Sequence, residues 1–193
     1  MGCNSDDMAL VNRTVTGEKE AFEEIVEKYN NKIFNMAFRM TGSYEDASDI
    51  AQDTFVKAYF SLNSFKGESE LYTWLYRIAR NTALDRFKKT KRRAEVLSIV
   101  NDDNSDDIIS NISDSTNNPE ELYEKQEKYA NLHNAIQKLS REDREIIIMR
   151  DMNGFTYDQI SEITKLNIGT VKSRLNRSRA KLKNILIKGG NFF

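Results

Sequence analysis

Apolar residues recur along this chain at intervals of three and four and nowhere sustain alternation, so every periodic segment predicts an α-helix. A short helix is expected near Met8 to Val15. Phe22, Ile25, Val26, Tyr29, Ile33, Phe34, Ala37 and Phe38 then make one long stripe that stops at Gly42, a residue suited to ending a helix. Ser43 and Asp46 have the spacing of a capping box. They open a helix whose inner face uses Ala47, Ile50, Ala51, Phe55, Ala58, Tyr59 and Leu62. The polar loop NSFKGES follows, with Gly67 in it and Ser69 placed to cap the next helix, which runs through Leu71, Trp74, Leu75, Ile78 and Ala79. These elements predict a first all-helical domain, residues 1–93.

From Ala94 to Asn118 the periodicity is lost and Asp, Asn and Ser dominate. Such a composition buries too little apolar surface to order itself and predicts a flexible acidic linker over 94–118. Asn118 and Pro119 restart a helix as N-cap and first residue. Its stripe is Leu122, Tyr129, Leu132, Ile136 and Leu139, and a helix from Ser140 with Ile146, Ile147 and Met149 packs beside it as far as Gly154. Thr156 and Gln159 form another capping box, Ile160 and Ile163 face inward, and the chain turns through Lys165 and Leu166. Asn167 caps a last helix with Ile168, Val171, Leu175 and Leu182 on one face. The fold class expected is all-α, with the linker joining the first domain to a second over 119–193.

Charge sharpens this picture. The net value of -1 over 193 residues hides a basic block at Arg86, Lys88, Lys89, Lys91, Arg92 and Arg93, and an acidic stretch over 94–121 without Lys or Arg. No acidic residue follows Glu162, so the last helix cannot neutralise its cations by pairs at i,i+4 and is expected to need an anionic partner. Two short helices around a tight turn, the second strongly basic, are the pattern of a helix-turn-helix, whose second helix lies in the major groove. Thr170, Lys172, Ser173, Arg174, Asn176 and Arg177 are the candidate readers of base edges, with Arg179 and the remaining cations on phosphate.

Catalytic chemistry has little to work with. His133 is the only histidine and has no partner at metal-ligand spacing, and there is no Gly-rich phosphate loop. No catalytic residue, metal, cofactor or small-molecule substrate is expected. The single Cys3 precludes an internal disulfide, and no apolar run can serve as a signal peptide or membrane span, which predicts a cytoplasmic protein without membrane insertion. Met-Gly-Cys hints at lipidation, but Asp6 stands where a Ser or Thr is needed.

The segments EDASDIAQDTFVKAY, SFKGES and YTWLYRIARNTALDR resemble conserved region 2 of the group IV, extracytoplasmic function (ECF) sigma factors of the sigma-70 family. DREIIIMRDMNGFTYDQISEIT and GTVKSRLNRSRAKL resemble region 4. Together they span nearly the whole chain. Lys165 stands in the turn where relatives often carry Gly, and Asn167 where Pro or Ser is frequent.

The resemblance implies an alternative sigma factor that brings RNA polymerase core to promoters and is controlled by an anti-sigma factor. It implies that Asp49, Gln52, Asp53 and Phe55 dock on the clamp helices of the largest subunit, with the flap as a further contact, although acids at this spacing are also ordinary on a solvated helix. It places Phe65 in a pocket for an extruded minus-ten base, Asn81 at that base's edge, and Arg77, Arg80, Arg86 and Lys88 on the single-stranded backbone. Thr170 to Arg179 then read the minus-thirty-five element. The spacing of Trp74 fits a packed core residue better than a stacking platform. A linker of about 25 residues at roughly 3.3 to 3.6 Å each spans at most about 80 to 90 Å, enough for the roughly 70 Å of two duplex turns. Its acidity suits a basic channel of the polymerase or a plain spacer. A stand-alone helix-turn-helix regulator and an adaptor with a basic tail are the competing readings.

Overall fold

Helix α1 (Ser5–Val15) starts where Asn4 accepts a hydrogen bond from the Asp6 amide, and it lies along α2 (Lys19–Thr41). Asp7 pins the two together. Its buried carboxylate accepts 2.7 Å hydrogen bonds from the Tyr29 hydroxyl and Lys28 Nζ, so the charge carries compensating partners. Gly42, at φ 77°, ends α2 in the left-handed conformation that glycine adopts without penalty. Ser43 then caps α3 (Tyr44–Ser61) by accepting from the Asp46 amide, a 3-10 turn (Leu62–Ser64) follows, and α4 (Leu71–Leu97) closes the unit. Ala37, Ala47, Ile50 and Ala83 bring α2, α3 and α4 together, because three methyl-sized side chains permit close backbone approach. Phe34, Phe38 and Phe87 pack around that contact.

This computed structural model describes residues 2–97 and 119–189, with side chains over 2–90 and 128–189. From residue 98 onward the expected linker lies outside the described residues. The chain divides into two units, at residues 101 and 102, and α4 continues past Arg93 to Leu97. The described residues form helices joined by short turns and loops and include no strand, as the periodicity predicts.

In the second unit α5 (Pro119–Gln137) ends against Arg144, whose Nε donates to the Ile136 carbonyl at 3.2 Å; a cation there supplies a donor to carbonyls left over at the helix end. Helix α6 (Arg141–Ile147) passes into a π-turn (Ile148–Met152), α7 (Tyr157–Thr164) follows, and α8 (Ile168–Lys188) packs on α5, α6 and α7. Ile136, Ile146, Ile147, Ile160, Val171 and Leu175 are almost fully buried.

Several local expectations are corrected. The first hydrogen bond of α4 runs from the Trp74 amide to the Glu70 carbonyl, so Glu70 rather than Ser69 occupies the cap position. Tyr59 and Tyr129 are exposed, not inward, since each phenol sits at the margin of its stripe where it can meet water. Ile168 is exposed as well, and the buried face of α8 begins at Val171.

Candidate nucleic-acid interface

The helix-turn-helix is built as its sequence dictates. The Thr156 amide donates to Gln159 Oε1 at 2.8 Å and the Gln159 amide to Thr156 Oγ1 at 3.2 Å, a complete capping box for α7. Lys165 makes the turn with φ 60°, the single non-glycine residue of positive φ among those described. Asn167 Oδ1 accepts from the Thr170 amide at 2.7 Å and starts α8.

Val171, Leu175 and Ser178 form the buried line of α8, which fixes the phase of everything else on it. Ser173, Asn176 and Arg177 therefore occupy the centre of the solvent face, while Lys172 and Arg179 lie along one of its edges. Thr170 and Arg174 fall on the opposite edge and are half-buried. Lys172 Nζ stands 5.6 Å from the centre of the Tyr157 ring, which the Arg150 guanidinium approaches at 4.9 Å. Sequence reasoning missed Tyr157 and Arg150; an aromatic residue just after the Thr156 cap was the available signal.

The cations of α8 have no acid at i,i+4 on their own helix, yet two of them find partners elsewhere in the chain. Arg179 forms a two-pronged ion pair with Asp151, its Nε 3.0 Å from Oδ2, and Lys181 pairs with Asp143. Both carboxylates come from upstream elements, so these are tertiary pairs invisible to an i,i+4 search. Asp143 also accepts from Ser178 Oγ at 2.6 Å and Ser140 Oγ at 2.8 Å. Burial pushes its pKa up, but the bonds from Lys181, Ser178 and Ser140 outweigh that and hold it down at about 2.

In the first unit α4 presents Asn81 and Lys88 to solvent, with Arg77 and Arg80 half-buried on the same side. Arg86 does not join them. It follows Arg77 by about two and a half turns, which turns it to the opposite side of the helix. There its Nε donates to Asp46 at 2.6 Å and its Nη2 lies 2.9 Å from Asp49. Partial burial opposes the charge, yet the two carboxylates raise the guanidinium pKa on balance. The residue expected on single-stranded backbone thus ties α4 to α3, and one of its partners is a residue expected to dock on polymerase.

Phe65 anchors the loop by a buried side chain whose ring centre is 5.4 Å from that of the buried Trp74, so both aromatics support the loop from the core side. Phe55 is buried too, in phase with Ala51, Ala58 and Leu62, and its ring cannot reach an external surface. Beside Tyr44 and Tyr59, α3 exposes Val56 and Phe60, the latter 80% accessible. They continue the line of Gln52 and Asp53 at helical spacing, and sequence reasoning did not single them out, the resemblance having given the apolar docking role to Phe55.

A capped helix-turn-helix stands on one unit, and on the other a helix with a polar, basic side lies beside a glycine-containing loop, features of the kind that proteins of transcription use toward nucleic acid. The family models agree: sigma-70 region 2 matches residues 25–93 and sigma-70 region 4 matches 129–182. The RNA polymerase sigma-H factor of Pseudomonas aeruginosa is 34% identical over 184 residues, covering 93% of both chains. The ECF RNA polymerase sigma-E factor of Haemophilus influenzae is 36% identical over 179 residues, covering 92% of this chain and 94% of its own. The chain belongs to the sigma-70 family of transcription initiation factors, in its ECF group.

Among solved structures, the sigma factor RpoE bound to the anti-sigma factor NepR from Bartonella quintana superposes with a TM-score of 0.70 at 25% identity, over 86% of this chain and 96% of its own. CnrH, in complex with the cytosolic domain of CnrY, gives a TM-score of 0.67 at 24% identity over 95% of this chain and 99% of its own, a likeness of fold. Among the described residues no helix is long and apolar enough to cross a membrane.

Proposed function

We propose that this chain joins RNA polymerase core in the cytoplasm, recognises a promoter at its minus-ten and minus-thirty-five elements, and opens it without catalysis of its own. The observation that carries the reading is the solvent face of α8, where Ser173, Asn176 and Arg177 stand at the centre of a helix seated by a capped turn. Short polar side chains and an arginine at that place suit hydrogen bonding to base edges, with Lys172 and Lys183 on flanking phosphates. On α4, Asn81 offers a donor and an acceptor on the exposed side beside Arg77 and Arg80, and takes the edge of a base released from the duplex.

Docking on the polymerase clamp helices falls to the α3 face, with Asp49, Gln52 and Asp53 supplying polar contacts and Val56 and Phe60 an apolar one. Phe55 supports that face from within. The flap of the polymerase takes the second unit. An anti-sigma factor occludes these surfaces in the resting state, a reading supported by the RpoE–NepR complex.

Run-off transcription with purified core polymerase on a promoter library tests the whole. Initiation at discrete start sites that depends on this chain is expected. Duplex binding by the chain alone, with no transcript from the holoenzyme, would instead indicate a stand-alone regulator.

A further inference from the structure

The loop between the 3-10 turn and α4 is braced from outside by a segment that none of the expected promoter contacts includes. The Cys3 amide donates a 3.0 Å hydrogen bond to the Gly67 carbonyl. Gly67 has φ 72°, and a Cβ at that residue would lie 3.2 Å from Met8 Sδ and 3.7 Å from Cys3 Cβ. The Gly2 backbone is equally close, since a Cβ there would stand 3.3 Å from the Gly67 oxygen. The brace is itself anchored: Asn4 caps α1, and one turn on Asp7 is fixed by Tyr29 and Lys28 of α2. Phe65 and Trp74 support the same loop from the core side.

We infer that the Gly2–Cys3 segment is a positioning element for minus-ten recognition, holding the Gly67 turn in the shape that captures the extruded base. This rests on the function proposed above. A loop held in its binding conformation before the base arrives does not lose that conformational freedom on capture, so the saving goes to the correct base. A loop freed to adopt other shapes binds the correct base less well and accepts wrong ones more easily. One backbone hydrogen bond of ordinary net strength corresponds to about a fivefold change in such an equilibrium.

The test uses Cys3→Pro, which deletes the amide donor, and Cys3→Ala, which retains it while removing the thiol. Each full-length chain is assembled with core polymerase, and promoter opening is read by permanganate reactivity on the best library promoter and on its single-base minus-ten variants. The readout is the ratio of opening between them. A protein that merely folds less well loses activity on all templates alike and leaves the ratio unmoved. For Cys3→Pro the ratio is expected to fall about fivefold with core affinity unchanged, and for Cys3→Ala to stay at the wild-type value. Met8→Ala, which removes the side chain behind Gly67 and leaves the backbone intact, is expected to lower the ratio by a smaller factor. An unchanged ratio in Cys3→Pro, or an equal fall in Cys3→Ala, overturns the inference. If the wild-type chain opens no promoter with core, the function proposed above fails first, and that result is distinct from either.

Discussion

Replacing Asp143 with Asn keeps the size of the side chain and one acceptor oxygen but removes the charge that Lys181 pairs with. In the native protein this carboxyl titrates at about 2 against an ordinary value of 3.8. That difference is worth about 2 kcal/mol of folding stability near neutral pH, at about 1.4 kcal/mol per pH unit. Because the folded-state pKa is the lower one, the contribution is complete above about pH 5. It is lost as the pH falls through 3.8 toward 2. Asp143→Asn is therefore expected to lower the stability of the second unit by about 2 kcal/mol at pH 7, with the gap to wild type closing below pH 4. The sole tryptophan, Trp74, reports on the first unit, so the assay is native-state hydrogen exchange at the amides around Leu175 and Ser178. Ser178 is completely buried and donates to Asp143, so those amides feel the loss directly. Equal protection of variant and wild type at pH 7, or a difference that is undiminished at pH 2, would refute the reasoning.

Lys165→Gly is expected to stabilise the second unit by about 0.5 kcal/mol in urea unfolding, because relief of a left-handed lysine exceeds the extra chain entropy of glycine. Asp151→Asn frees Arg179 from its ion pair; duplex affinity at low salt should rise, and the slope of log K against log salt should steepen by about 0.9 for one more phosphate contact. Asn81→Ala should leave affinity for core polymerase intact and impair opening, read as reduced permanganate reactivity at the start site.

Helical periodicity made the architecture legible, because burial on one face of a helix leaves its mark at every third or fourth residue. Trp74 is buried where its spacing to Leu71, Leu75 and Ile78 puts it. The caps at Ser43, Thr156 and Asn167 were equally readable, since in each a side chain accepts from the amide three residues on. What stayed hidden is whatever depends on partners far apart in sequence. Asp143 and Ser178 are 35 residues apart, Asp46 and Arg86 40, and no periodicity connects them. Phe55 and Arg86 failed for a simpler reason. Each role came from the resemblance, whereas phase on the helix sends Phe55 to the core, as its periodicity had already indicated, and Arg86 to the side of α4 that meets α3. At Lys165 the residue type gave no sign of the backbone, which is left-handed there, a conformation that glycine adopts freely and lysine only with strain.

The tertiary ion pairs set a limit on how this chain meets DNA. Residues 168–188 carry seven lysines and arginines and no acid, which by composition alone suggests an avid binder. Two of the seven, Arg179 and Lys181, are already engaged by Asp151 and Asp143, which leaves five for phosphate. At a slope of about 0.9 per contact, the salt dependence of duplex binding by α8 should not exceed about 4.5. A chain of net charge -1 with at most five phosphate contacts on this helix gains little from non-specific attraction. It should grip duplex weakly on its own and depend on polymerase to hold both units on one promoter, where linkage raises the effective concentration of the second contact once the first is made. Filter binding of the free chain to a duplex carrying its minus-thirty-five element, from 50 to 200 mM salt, measures this directly. A slope of about 6.3, which is seven contacts at about 0.9 each, would mean that both ion pairs open on DNA, and that Asp143 and Asp151 stabilise the unbound protein alone.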